Sequence, residues 1–266
     1  MDKSEAPRRP FLAVRDVNKT FQIGNEQVEA LRNIDLVIDK GEFVCLIGAS
    51  GCGKSTLLRI IAGFEQPSSG HVDIYDHAVS GPGSDRGMVF QDYALFPWLS
   101  VRENIAFGPR QKGLTKAEVA AITNEYLDMV GLAPFADRFP SQLSGGMKQR
   151  VAIARVLAND ANILLMDEPF GALDALTREQ LQDELLQIWA RTGVTVIFVT
   201  HSVEEATLLA DRVVVMTAGP GRIETDIRIR LERPRDVSSP AFNEVRRSLT
   251  QRLTSHVKRR ELRTAA

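Results

Sequence analysis

The run Gly48-Ala49-Ser50-Gly51-Cys52-Gly53-Lys54-Ser55 fits the pattern G-x-x-x-x-G-K-[ST], in which each fixed residue has a chemical task. Glycines let the backbone curl so that its N–H groups converge on phosphate oxygens with no Cβ in the way. The apolar run 43–47 ahead of it reads as a strand. Residues 54–62 read as a helix stopped by Gly63, whose positive N-terminal end faces the same anion. Lys54 supplies a mobile charge to terminal phosphates, and the Ser55 hydroxyl is a ligand for Mg²⁺. Gly48, Ser50, Gly51, Cys52, Gly53, Lys54, Ser55 and Thr56 are therefore the expected nucleotide-binding residues. Bound nucleotide is expected to shield the Cys52 thiol from alkylation. The loop by itself does not distinguish kinases, GTPases and ATPases.

A second set of acids follows a buried strand, Ile163-Leu164-Leu165-Met166-Asp167-Glu168. Asp167 is expected to partner Mg²⁺ opposite Ser55, and Glu168 to polarise an attacking water. Two adjacent carboxylates repel each other, and a cation between them and phosphate relieves that cost.

Between these motifs lies Leu143-Ser144-Gly145-Gly146-Met147-Lys148-Gln149-Arg150. Physically it is another glycine-opened helix start, with the Ser144 hydroxyl and the N–H groups of Gly145 and Gly146 turned outward. It resembles the signature of ABC-transporter ATPases, and the likeness runs from about residue 11 to residue 221. The resemblance implies further roles. Phe21 corresponds to the aromatic platform for adenine, where relatives often have Tyr. Gln91, after Gly87-Met88-Val89-Phe90, corresponds to the glutamine that touches Mg²⁺ and the water. Asp174 ends the loop Gly171-Ala172-Leu173-Asp174, similar to one that crosses a dimer interface, and His201 corresponds to a histidine on the γ-phosphate. Met147 in place of the usual Gln, with Phe96-Pro97-Trp98 and Thr200-His201-Ser202-Val203-Glu204-Glu205-Ala206, is similar to the nitrate, sulfonate and taurine import ATPases.

The implied protein is an α/β P-loop NTPase with a RecA-like mixed sheet, an antiparallel β subdomain and a helical insertion. It would use ATP and Mg²⁺ as a head-to-tail homodimer at the cytoplasmic face of a membrane, driving permease subunits and, through them, serving a solute-binding protein. An exporter or lipoprotein-release ATPase is the alternative. DNA-maintenance and ribosome-associated ATPases need a long coiled coil or tandem cassettes. Here Gln91 and Ser144 are 53 positions apart, without sustained heptads, and nucleic acid is not an expected partner.

The elements that must position these groups are legible as alternating apolar runs and amphipathic stretches, the pattern of an α/β protein. Residues 11–17 and 34–38 alternate as half-buried strands do, while 43–47, 163–166, 194–199 and 213–216 are continuous apolar runs suited to a covered parallel sheet. Residues 92–160 carry helical periodicity and read as an insertion between strands. The cassette is expected over 11–225, followed by a basic helical tail, 226–266. From Arg222 onward there are 11 Arg and 1 Lys against 6 acids in a chain of net charge −1, and interspersed acids point to a solvated helix. With 44% apolar and 25% charged residues in 266, the chain has the makings of a sizeable core. No stretch suits a membrane span or a secretory leader, and Cys45 and Cys52 read as reduced thiols, so a cytoplasmic setting is expected.

Overall fold

The computed structural model describes residues 10–264, with side chains placed for 10–254. In chain order the elements are β1 (Leu12–Ile23), β2 (Glu26–Ile38), β3 (Phe43–Gly48), α1 (Lys54–Ala62), β4 (Ser69–Ile74), β5 (His77–Ala78) and β6 (Arg86–Val89). There follow α2 (Val101–Gln111), α3 (Lys116–Met129), α4 (Gly145–Leu157), β7 (Ile163–Asp167) and α5 (Ala175–Thr192). The last elements are β8 (Thr195–Thr200), α6 (Val203–Leu209), β9 (Arg212–Thr217), β10 (Arg222–Arg228) and α7 (Pro240–Thr264).

Two sheets form. One is antiparallel in the order β2-β1-β4-β5; the other has the order β10-β9-β3-β8-β7-β6 and is parallel except at its β10 edge. The expected mixed core and antiparallel subdomain are both present. Alternation along β3 explains why this strand is central. Phe43, Cys45 and Ile47 enter one buried cluster, while Val44 and Leu46 enter the other, on the opposite face of the sheet. All six residues of β3 are buried.

The insertion is helical, as expected. Helices α2 and α3 begin with full capping boxes, Ser100 with Glu103 and Thr115 with Glu118, which satisfy backbone donors that a helix start otherwise leaves open. Asn104, fully buried on α2, accepts from the Phe96 N–H at 2.9 Å and donates to the carbonyls of Phe96, Leu99 and Ser100. The connection from the sheet is thereby tied to the first helix of the insertion.

The tail differs from expectation. The boundary at 225 falls inside β10, which pairs with β9 from Arg222↔Thr217 to Arg228↔Arg212. Nor are the arginines beyond it simply solvated. Arg233 donates to Asp211 Oδ1 at 2.6 Å and to the Leu209 carbonyl, and its guanidinium lies 4.6 Å from the centre of the Trp189 ring. Arg235 donates to the carbonyls of Thr207, Leu208 and Ala210, closing the C-terminal end of α6. Burial, and then the neighbouring Arg233 charge, push Arg235 down to about 10. Helix α7 packs against α6 and β9 through the buried Leu249. Composition alone reads such a helix as solvated because its few apolar residues are spread among many charges.

Leu249→Ala is therefore expected to cost about 2–5 kcal/mol in chemical denaturation, the range for a truncated core leucine. An unchanged midpoint would mean that α7 does not belong to the cooperative fold.

Candidate functional site

The parallel pairing decides which residues meet. Registers Ile47↔Thr200 and Asp167↔Val199 bring the carboxyl ends of β3, β7 and β8 level. Open α/β sheets bind ligands outside these ends. Gly48, Asp167 with Glu168, and Thr200 with His201 consequently border one crevice.

The loop after β3 turns into α1 through Gly53, which has φ +90° and acts as the N-cap. A Cβ there would lie 2.5 Å from Leu31 Cδ2, so conformation and packing both call for glycine. The first turn of α1 carries no acid, and its N-terminal charge is left for an anion. The Lys54 ammonium, with the residue 5% exposed, donates to the carbonyls of Gly48 at 2.9 Å and Ala49 at 3.2 Å. Ser55 Oγ donates to Asp167 Oδ1 at 2.8 Å, joining the two motifs across 112 positions of sequence.

The adjacent acids solve their repulsion by facing different partners. Asp167 faces Ser55, whereas Glu168 Oε2 lies 3.4 Å from His201 Nδ1. Glu168 adopts φ +47°, a left-handed conformation that costs a non-glycine residue free energy, and its N–H is held by the Val199 carbonyl at 3.0 Å. The strained backbone turns the carboxylate away from its neighbour and towards the histidine. Gln91, exposed just beyond β6, reaches the same region: a methyl group on Gly171 would sit 3.5 Å from its Nε2.

A second group lies apart. Ser144, exposed at the N-cap of α4, accepts from the Met147 N–H at 3.3 Å. A Cβ on Gly146 would stand 2.9 Å from Thr177 Cγ2, so this glycine lets α4 approach α5. Asp174 caps α5, accepting from Thr177 N–H at 3.0 Å and Thr177 Oγ1 at 2.7 Å; these bonds hold its carboxyl below the usual range. Its sequence pattern, Asp three residues before Thr at a helix start, carried that capping signal. Within one chain Ser144 forms no hydrogen bond with the loop of residues 48–55; α4 packs with α2, α3 and α5 on one face of the parallel sheet, and α1 packs on the other.

Phe21 is half-buried on β1, with the Lys19 ammonium 4.7 Å from its ring centre. The Cys52 side chain points into the core and is fully buried, and burial raises its thiol above the ordinary value. Shielding of this thiol by nucleotide therefore has no premise, because the fold already covers it. Sequence reasoning also missed Arg155 on α4. It donates to the Ala94 carbonyl at 2.7 Å and stacks 5.3 Å from the Phe96 ring, holding the Gln91 connection to the Ser144 helix. An arginine on an otherwise apolar helical face was the available signal.

Ser55, Asp167 and Gln91 offer hard oxygen donors suited to Mg²⁺, which commonly takes one or two protein oxygens plus substrate phosphates. Among the described residues no cluster of three or more His, Cys, Asp or Glu side chains is placed to hold a metal alone.

Comparison with known proteins defines the class. Residues 31–171 match the family model described as ABC transporter. The chain is 51% identical to a taurine import ATP-binding protein of Jannaschia sp. (strain CCS1) over 219 residues, covering 82% of each chain. It is 50% identical to a nitrate import ATP-binding protein of Synechocystis sp. over 229 residues, covering 86% of this chain and 85% of the relative. A dimeric ATP-binding cassette solved in a post-hydrolysis state with ADP and Pi aligns at a TM-score of 0.73 and 35% identity, over 83% of this chain and all of that one. The chain belongs to the ABC transporter family as an ATP-binding cassette.

Both cysteines are fully buried and burial raises both thiols, which disfavours the reactive thiolate in the folded protein. Alkylation at pH 7.5 is expected to be slow with or without MgATP and to become fast only on denaturation. Rapid labelling of Cys52 in the native protein would contradict its inward orientation.

Proposed function

We propose that this chain is the ATP-hydrolysing, energy-coupling subunit of an importer for a small anion of the nitrate, sulfonate or taurine kind. The observation that carries the reading is the Ser55–Asp167 hydrogen bond beside the Glu168–His201 pair at the end of one parallel sheet. It gathers phosphate-binding, cation-binding and base functions at one place.

In this reading residues 48–56 cradle the phosphates through backbone N–H groups, and Lys54 exchanges its two carbonyl partners for phosphate oxygens. Phe21 stacks on adenine. Ser55, Gln91 and Asp167 would hold Mg²⁺, which would supply charge neutralisation to the phosphates. Glu168 orients the water and accepts its proton, and His201 steadies Glu168 and the γ-phosphate.

The exposed Ser144 tip has no phosphate of its own chain to meet. A second copy related by two-fold symmetry brings it to the opposite side of the nucleotide, and the Asp174 loop lies at the same junction. Closure with ATP and separation after hydrolysis then follow from differential contacts with the γ-phosphate. Near Gln91, Phe96, Trp98 and Phe107 form an aromatic group with ring centres 4.6 and 5.7 Å apart, and Trp98 is 70% exposed. This surface suits an amphipathic segment of a permease. Among the described residues no helix is long and apolar enough to cross a membrane, so the reading assigns membrane attachment to that partner. A solute-binding protein would select the cargo outside the membrane.

Glu168→Gln is expected to bind ATP with near-parental affinity while turnover falls at least about 100-fold, the scale of a lost general base. Parental turnover in that variant would remove Glu168 from the chemistry.

A further inference from the structure

Below His201 lies a charged group that the proposed chemistry leaves unused. Glu205, in the first turn of α6, is 9% exposed. Its Oε2 accepts a 2.5 Å hydrogen bond from Thr200 Oγ1, and that same oxygen of Thr200 accepts from the Ser202 N–H at 3.0 Å. With its lone pair engaged by Ser202, the Thr200 hydroxyl directs its proton at Glu205. The Glu205 N–H in turn donates to Ser202 Oγ at 3.2 Å. Of the chain neighbours of His201, Thr200 is thereby held by the Glu205 carboxylate and Ser202 by the Thr200 hydroxyl and the Glu205 backbone N–H.

The other oxygen faces α5. Glu205 Oε1 accepts from Gln182 Nε2 at 3.4 Å and lies 3.8 Å from Arg178 Nε. Arg178 Nη2 donates to the carbonyl of Leu173 at 2.9 Å, one residue before Asp174. Arg178 Nε is buried and has no hydrogen-bond partner. A shift of α5 by about 1 Å towards α6 would convert its approach to Glu205 into a hydrogen bond. Two loops far apart in sequence thus meet through one buried acid.

Burying this acid is costly. Desolvation, the largest influence, raises the Glu205 carboxyl above its usual range, against the pull of Thr200, Arg178, His201 and Gln182. An apolar side chain of similar volume would often serve packing at least as well, which favours a role beyond packing.

We propose that Glu205 is a positioning residue that links His201 to the Leu173–Asp174 turn, so that displacement of this turn by the partner copy sets the histidine for hydrolysis. The proposal rests on the assignments of His201 and of the Asp174 loop made above. Its consequence is that ATP binds to a protomer with the link cut, whereas the hydrolytic step no longer responds to closure.

The test measures steady-state ATPase and ATP binding in the full-length protein for Glu205→Gln, Arg178→Met, Arg178→Lys, Thr200→Val, Thr200→Ser and His201→Ala. Glu205→Gln and Arg178→Met are each expected to lower kcat about tenfold or more with KM within about twofold. Their combination should be no worse than either alone, as for residues that act as a unit. Arg178→Lys and Thr200→Ser, which keep the charge and the hydroxyl, should recover most of kcat, and Thr200→Val should not. If Glu205→Gln does not fold, Arg178→Met, on a partly exposed side chain, reads the same link. Loss of turnover in His201→Ala with parental kcat in Glu205→Gln and Arg178→Met would overturn the link alone. Parental kcat in His201→Ala would overturn the histidine assignment and the proposal with it. Additive losses, or losses tracking a lowered melting temperature in every variant, would reduce Glu205 to a structural acid.

Discussion

A triphosphate concentrates negative charge on a few oxygens, and a protein that holds one must replace the water that stabilised it. This chain answers with backbone rather than with a field of cations. Helix α1 presents a glycine N-cap and no acid in its first turn, and Lys54 adds a single movable charge. Backbone dipoles are cheap to keep in place because the helix already aligns them. The same economy recurs at Ser144, where a serine and two glycines open α4. The two tips lie on helices packed on opposite faces of the parallel sheet, and in the proposed dimer they reach the anion from different chains.

The sheet does the positioning. Level carboxyl ends of β3, β7 and β8 bring together residues from positions 48, 167 and 201 without any long side chain having to reach. What remains is orientation, and the structure spends strain on it. Glu168 takes a left-handed backbone so that one acid of an adjacent pair serves Ser55 and the other His201. Around this centre arginines act as carbonyl clamps. Arg155 fastens the Gln91 connection, Arg178 the Leu173 turn, and Arg235 the end of α6. The first two join a loop of the site to a helix of the scaffold, and the third ties the segment ahead of α7 to α6.

Much of this was legible in the sequence. The phosphate loop, the acid pair, the buried strands β3, β7, β8 and β9, and the bounds of α1 follow from local periodicity and glycine placement. Strands β4, β5, β6 and β10 were not legible, because β5 and β6 are short and β4 and β10 are largely exposed and carry few apolar residues. The docking of the tail was hidden by its composition, since half-buried arginines such as Arg233 and Arg235 count as charge in a sum and as hydrogen-bond donors in a fold. The inward turn of Cys52 was equally invisible, as spacing within a loop does not report which way a side chain points. Glu205 stood in the sequence as the second of two glutamates, and only the packing of α6 on Thr200 and Gln182 separates it from its exposed neighbour Glu204.

The central claim is that Lys54's loop and Ser144's helix tip enclose one nucleotide between two copies. Sedimentation of Glu168→Gln and of Glu168→Gln with Ser144→Arg, both in saturating MgATP, tests it most directly. The account predicts a dimer for the first and a monomer for the second, with ATP binding retained in both. A dimer that survives Ser144→Arg, or a Glu168→Gln protein that stays monomeric, would contradict it.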